Sequence, residues 1–198
     1  MAAPRRVGAE KSETRFRLLD CVEELMVEAG YAAVTYRAVA ARAGVTPGLV
    51  QYYFPALDDL LVATIRRRSE QGLTHLARML KARPSQPLRV LWEFSNDETS
   101  AALTMEFSAL GNHRKSVRAE IVSYTNQLRA VQLEALAACP PDAADAPEIS
   151  PAALLFLLSG IPKLVRMEED FEVHTGHAAI LELVERYIES VEPSATGT

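Results

Sequence analysis

The chain has 198 residues, 48% of them apolar and 24% charged; this excludes disordered and collagen-like classes and leaves room for one ordinary domain plus a smaller one. The net charge of −5 conceals a split: residues 1–83 carry 13 Lys+Arg against 9 Asp+Glu, net +4, and residues 84–198 carry 8 against 17, net −9. A basic first part joined to an acidic second either assigns polyanion contact to the first or is the asymmetry any cut produces.

Residues 1–11 read as a disordered basic arm, and MAAPRRVGAEKSETR has no apolar stretch, so no secretory signal is expected. From Ser12 the pattern turns helical. Leu18, Val22, Leu25, Met26 and Ala29 recur at i, i+4, i+7, i+8 and i+11, one helix face. Gly30 supplies the stop. Thr35 caps a short helix from Tyr36 to about Ala43, and Gly44 breaks it. Thr46 followed by Pro47 is a second cap with proline at the first helical position; that helix ends near Tyr53 or Phe54.

A longer helix is expected from about Ala56–Asp58, with Asp58 and Asp59 at its positive dipole end, running to the Arg83-Pro84 step. Further helices are expected at about 87–96, 98–111, 115–138, 151–168 and 177–191, with no strand and no internal repeat. The segment Cys139–Ser150 reads as a polar, proline-rich loop, Pro162 as a kink or an end of regular helix, and residues 193–198 as a frayed tail. The most apolar stretch, near Pro151–Ile161, is too short to cross a bilayer and is followed by Lys163 and Arg166. No membrane partner is expected, and the cytoplasm is the simplest location. Cys21 and Cys139 make neither a disulfide framework nor a four-ligand zinc site.

The informative segment is YRAVAARAGVTPGLVQYYF at residues 36–54. Two short helices around Ala-Gly-Val make a helix-turn-helix. Ala40 lets the helices cross closely, and Gly44 accepts the positive φ of the turn. Val39, Ala43, Val45 and Val50 point inward, leaving Thr46, Pro47, Gly48, Leu49, Gln51 and Tyr52 on or near the outer face of the second helix. Such a face meets base edges in a major groove.

LLDCVEELMVEAGYAAVTYRAVAARAGV followed by TPGLVQYYFPALDDLL, about residues 15–62, resembles the TetR-like (tetracycline-repressor-like) transcriptional regulators. The resemblance implies an all-α fold: a helix-turn-helix DNA-binding domain over residues 12–56, joined to a helical ligand-binding and dimerisation domain over 57–192. It implies double-stranded DNA with a palindromic operator, a homodimer and a small-molecule effector as partners. Carried over by position, Thr35 holds a phosphate, Thr46, Pro47, Gly48 and Leu49 meet base edges or the sugar-phosphate wall, and Tyr52 and Tyr53 serve phosphate or packing. Gln51 departs from a common tyrosine; its amide suits adenine or a phosphate. Leu57 departs from the usual lysine, which removes one phosphate contact. Arg37 is either a phosphate contact or a solvated helix residue, and Arg5, Arg6 and Lys11 either track DNA or form a solubilising tail.

The helix at 151–168 is apolar all round over two turns and has to be covered on all sides. With the last helix it is expected to form a four-helix bundle across a two-fold axis, through Leu154, Leu157, Leu158, Ile161, Leu183 and Tyr187; the alternative is a deeply buried central helix in a monomer. The resemblance also implies an effector pocket, for which Trp92, Phe94, Met105, Phe107, His113, Tyr124 and Gln127 are candidates; the alternative is that most of them are simply core. Few charges lie near this group, which leans toward an apolar or amphipathic effector. An effector would act by favouring a conformation that spaces the recognition helices wrongly, with the long helix after Asp58 carrying the shift. No Gly-rich phosphate loop or G-x-S-x-G elbow is present, so no catalytic residue, cofactor or metal site is expected. His174 and His177 are taken as solvated, and Glu168, Glu169, Asp170 and Glu172 as a solvent-facing acidic stretch.

Overall fold

The first helix, α1, spans Glu13–Ala29 and buries Leu18, Leu19, Cys21, Val22, Leu25 and Met26, the stripe that its spacing sets. The computed structural model describes residues 13–138 and 149–192. The basic arm, the loop from Cys139 to Glu148 and the tail from Pro193 lie outside these. A 3₁₀ turn, Tyr31–Ala33, follows α1 after Gly30, whose φ is +75°. Then come α2 (Tyr36–Ala43), α3 (Pro47–Tyr53) and α4 (Leu57–Ala82). The rest is α5 (Pro87–Ser95), α6 (Glu98–His113), α7 (Lys115–Ala138), α8 (Pro151–Glu169) and α9 (His177–Val191). Among the described residues there is no strand, and no helix is long and apolar enough to cross a membrane. The expected elements are therefore present, with the 3₁₀ turn as an addition. Pro162 neither ends α8 nor halts it before Glu169. Its missing N–H leaves the Leu158 carbonyl without the usual helical donor.

Packing divides the chain into two compact units. The first comprises the residues up to Gln71 together with Ala102–Tyr124, and the second comprises Gly72–Ala101 with the residues from Thr125 onward. The first unit has a continuous core: α1 contributes the six residues above, α2 Val39, Ala40 and Ala43, α3 Val50, and α4 Leu60, Leu61 and Ile65. Leu103, Phe107 and Leu110 of α6 and Val117 of α7 complete it. Each buried leucine or valine contributes about 1.5–3 kcal/mol relative to exposure. Arg67 ties α4 to α1, reaching Asp20 at 2.8 Å and Glu23 at 2.6 Å. Cys21 is free and buried, and burial pushes its thiol up, away from the reactive thiolate.

The second unit packs Leu76 of α4, Leu88, Val90, Leu91 and Trp92 of α5, and Leu136 of α7 against α8 and α9. From α8 come Leu154, Leu155 and Leu158, and from α9 Val184, Ile188 and Val191. Gln86, at the N-cap of α5, makes no side-chain cap bond. The buried Glu192 carboxylate does this work, accepting from the N–H groups of Leu88 at 2.7 Å and Arg89 at 2.9 Å. Burial pushes this carboxyl up, against the two N–H donors that lower it.

Two residues expected at a dimer face belong to this interior. Leu154 and Leu158 are 4% and 1% exposed within the single chain. The physical reason is the 3.6-residue repeat of α8: Leu154, Leu155 and Leu158 turn toward the unit's own core, and Phe156, Leu157, Leu164 and Met167 turn out. A stretch apolar all round has no moment to say which side is which.

Candidate nucleic-acid interface

The turn chemistry of residues 35–54 is as the residue types require. The Thr35 hydroxyl accepts from the N–H of Ala38 at 3.1 Å, closing the start of α2. Gly44 sits at the end of α2 with φ +66°, a left-handed conformation that favours glycine. Its N–H and that of Val45 return to Ala41 and Ala40 carbonyls. The Thr46 hydroxyl then accepts from the N–H of Leu49 at 3.4 Å, with Pro47 at the first helical position of α3.

The far end of α3 is fixed from outside the helix. The Tyr36 hydroxyl donates to the Phe54 carbonyl at 2.9 Å, Phe54 is buried, and the Arg15 guanidinium lies 5.0 Å over its ring. Burial pushes the Tyr36 phenol up, with the Asp59 charge adding to it, so this donor stays protonated. Arg42 clamps α2 to α1 through Glu24 and Glu28. With Val50 wholly buried, α3 is held at both ends and at its middle.

What α3 presents outward follows from that anchoring. Thr46, Pro47, Gly48, Gln51 and Tyr52 are exposed, and Leu49 and Tyr53 are half-buried. Tyr52 is 64% exposed and meets Tyr53 edge-on, ring centroids 5.5 Å apart. Thr35 and Arg37 are exposed at the start of α2. Val45, expected to point inward, is half-buried at the rim of the core. Leu57 is half-buried against the same core, so a packing residue stands where a lysine was expected. Sequence reasoning passed over Tyr36, Arg15 and the exposed Arg17; a Cβ on Gly44 would come within 3.4 Å of the Arg17 Nη2. A cation beside the turn was legible only as one more arginine on α1.

The residues considered for an effector pocket divide between the two units. Met105, Phe107, His113 and Tyr124 belong to the first, and Trp92, Phe94 and Gln127 to the second. Phe107 is part of the first core, Met105 is half-buried, and His113 is exposed. Burial pushes the Tyr124 phenol up. Trp92 is part of the second core and donates from Nε1 to Glu185 at 2.7 Å. Phe94 sits at the edge of that core with its ring 6.2 Å from that of His75, and Gln127 is exposed. His177 is buried, not solvated as expected, and its Nε2 pairs with Glu168 at 2.7 Å. Among the described residues no group of three His, Cys, Asp or Glu side chains is arranged to hold a metal ion.

Two short helices, α2 and α3, joined by a tight turn at Gly44, with the second presenting polar and aromatic side chains outward, form a helix-turn-helix of the DNA-binding class. The family model "Bacterial regulatory proteins, tetR family" matches residues 18–64. The chain is 31% identical over 150 residues to the HTH-type transcriptional regulator BetI of Rhizobium meliloti (strain 1021), covering 71% of this chain and 72% of that protein. It is 43% identical over 61 residues to the HTH-type transcriptional repressor KstR of Rhodococcus jostii (strain RHA1), covering 31% and 29%. The solved structure of the multidrug binding protein EbrR with proflavin superimposes with a TM-score of 0.55 at 27% identity, covering 88% of this chain and 99% of that one. The chain belongs to the tetR family of regulatory proteins: it is a DNA-binding transcriptional regulator and not an enzyme.

Proposed function

We propose that the chain is a dimeric repressor, released from a palindromic operator by a small apolar or amphipathic effector. In this reading residues 12–56 bind DNA, and residues 57–192 dimerise and take the effector. One observation carries it: Thr46, Pro47, Gly48, Gln51 and Tyr52 are free to solvent on a helix whose other side is locked into a core. Tyr53 and Leu49 flank that surface, and Thr35 and Arg37 stand at the start of α2 for a phosphate.

The dimer has separate support in the second unit. Leu157, Leu164 and Met167 on α8 are 45%, 53% and 38% exposed, and Phe156 is 65% exposed. Ala153, Leu157, Gly160, Leu164 and Met167 fall at alternating spacings of four and three, the seam of a helix bundle. A Cβ on Gly160 would meet nothing within 4 Å, so a partner helix has room to approach. Leu183 on α9 is 52% exposed, and Ile161 and Tyr187 are half-buried at the edge of the second core. The repressor role leans on the likeness to KstR, and the effector on that to EbrR, described as a multidrug binding protein and seen with proflavin.

Selection of bound duplexes from random DNA tests the whole reading. The expected product is a palindrome whose affinity falls steeply with salt, because each neutralised phosphate releases counterions. Recovery of no common sequence, or a flat salt response, would overturn it.

A further inference from the structure

Helix α6 holds Tyr31 at two points. The Glu106 carboxylate accepts the Tyr31 backbone N–H at 2.6 Å, across 75 residues of sequence. The His113 ring stacks on the Tyr31 ring, centroids 6.5 Å apart and planes 28° apart. Positions 106 and 113 are two turns apart on one face of α6, so a single helix face grips a single residue.

Tyr31 is where a local supply of hydrogen bonds runs out. The N–H of Gly30 still returns to Met26, but at Gly30 the chain turns with φ +75°, and the next N–H has no helical acceptor. Glu106 supplies it, and a carboxylate acceptor makes the stronger, charge-assisted bond. From Tyr31 onward nothing is loose. Ala33 returns to Gly30 and Val34 to Tyr31, both at 3.1 Å; Val34 is buried; Thr35 caps α2. Hydrogen bonds thus run through the turn from the carboxylate on α6 to the exposed first turn of α2.

We propose that Glu106 is a positioning residue for DNA binding: by holding the Tyr31 N–H it sets where Arg37, beside Thr35 in the first turn of α2, neutralises a phosphate. The proposal rests on the DNA-binding surface described above. Any ligand or partner that displaced α6 at Glu106 would be felt at that phosphate without touching α3.

The test uses the full chain and the duplex that it selects. Glu106→Ala is expected to raise the operator Kd about tenfold, and to make the slope of log Kd against log salt shallower by ~0.9, the loss of the one charge-neutralising phosphate contact, that of Arg37. Hydrogen exchange at the Tyr31 amide should quicken. Glu106→Gln, whose side-chain oxygen accepts the same N–H, should restore slope and affinity. Glu106→Asp keeps the charge but is one methylene short, and should behave as the alanine variant; it replaces that variant if alanine lowers the melting temperature too far. An unchanged salt slope in the alanine and aspartate variants would overturn the proposal, whatever their thermal stability, since a merely structural bond moves Tm and not the slope. A glutamine variant as poor as alanine would overturn it too. If the unsubstituted chain selects no duplex, the DNA-binding reading itself fails; a defect confined to the interpretation of Glu106 leaves that reading intact.

Discussion

The outer surface of α3 and the outer face of α8 are both exposed and both backed by a buried core, yet their chemistry is opposite. On α3 the free positions are Thr46, Gln51 and Tyr52, groups that donate, accept or stack. On α8 the large exposed groups are Leu157, Leu164 and Met167, which exclude water, and Phe156, whose ring also takes the Arg129 guanidinium 6.0 Å from its centroid. Exposure alone therefore says little. A polar and aromatic surface is stable in water while it waits for a polyanion. A large apolar one marks a site of interaction.

The widest gap between the two surfaces should appear with Leu157→Glu. A carboxylate in the proposed bundle seam is expected to convert dimer to monomer in sedimentation, and to weaken operator binding at least about a hundredfold. The neighbouring Leu158→Ala should do something else: a loss of about 2–5 kcal/mol in unfolding free energy with the dimer retained, because that side chain fills the chain's own interior. Equal loss of dimer in both would erase the distinction between the two sides of α8.

On α3, Gln51→Ala and Tyr52→Ala are each expected to weaken operator binding by about 1–3 kcal/mol, with an unchanged melting temperature and an intact dimer. Binding unchanged in both would move the reading face elsewhere. A smaller effect comes next. Thr35→Ala removes a cap worth about 1 kcal/mol of stability, and operator titration at low and high salt should show an accompanying loss of affinity.

How far the sequence reached depends on the range of the interaction. The bounds of α2 and α3 were legible because Thr35, Gly44 and Thr46 act on residues three to five positions away. The outward set on α3 was legible for the same reason, since Val50 alone fixes the helix's rotation. The two-sidedness of α8 was not, because Leu154 to Leu158 are all apolar and only the packing partner chooses among them. Nor were Tyr36 on the Phe54 carbonyl and Glu106 on the Tyr31 N–H, whose partners stand 18 and 75 residues away. A tyrosine and a glutamate on helices carry no mark of such bonds.

The smallest expected effect concerns pH. Asp58, at the start of α4, is held below the usual carboxylate range first by the Ser116 hydroxyl, 2.6 Å away, with burial opposing and Arg114 assisting. A depressed carboxyl contributes stability above its unfolded pKa and loses it as pH falls through the folded one. Ser116→Ala should therefore lower unfolding free energy by less than about 1 kcal/mol at pH 7, the group being partly exposed. The difference should shrink as urea titrations move below the normal carboxylate range. A difference that persists in strong acid would exclude this account of Asp58.

The anchors of α3 and its outward groups alternate along seven residues. Thr46 and Val50, with Phe54 just beyond, hold the helix; Gly48 and Gln51 point away from the core, and Tyr52 meets Tyr53 edge-on at the surface. Those three positions can be rewritten in any combination that tolerates a helix, and the scaffold will not notice. A library varied only there should yield folded proteins with altered operator preference, so descendants of such a chain can acquire new target sites faster than they can acquire new folds.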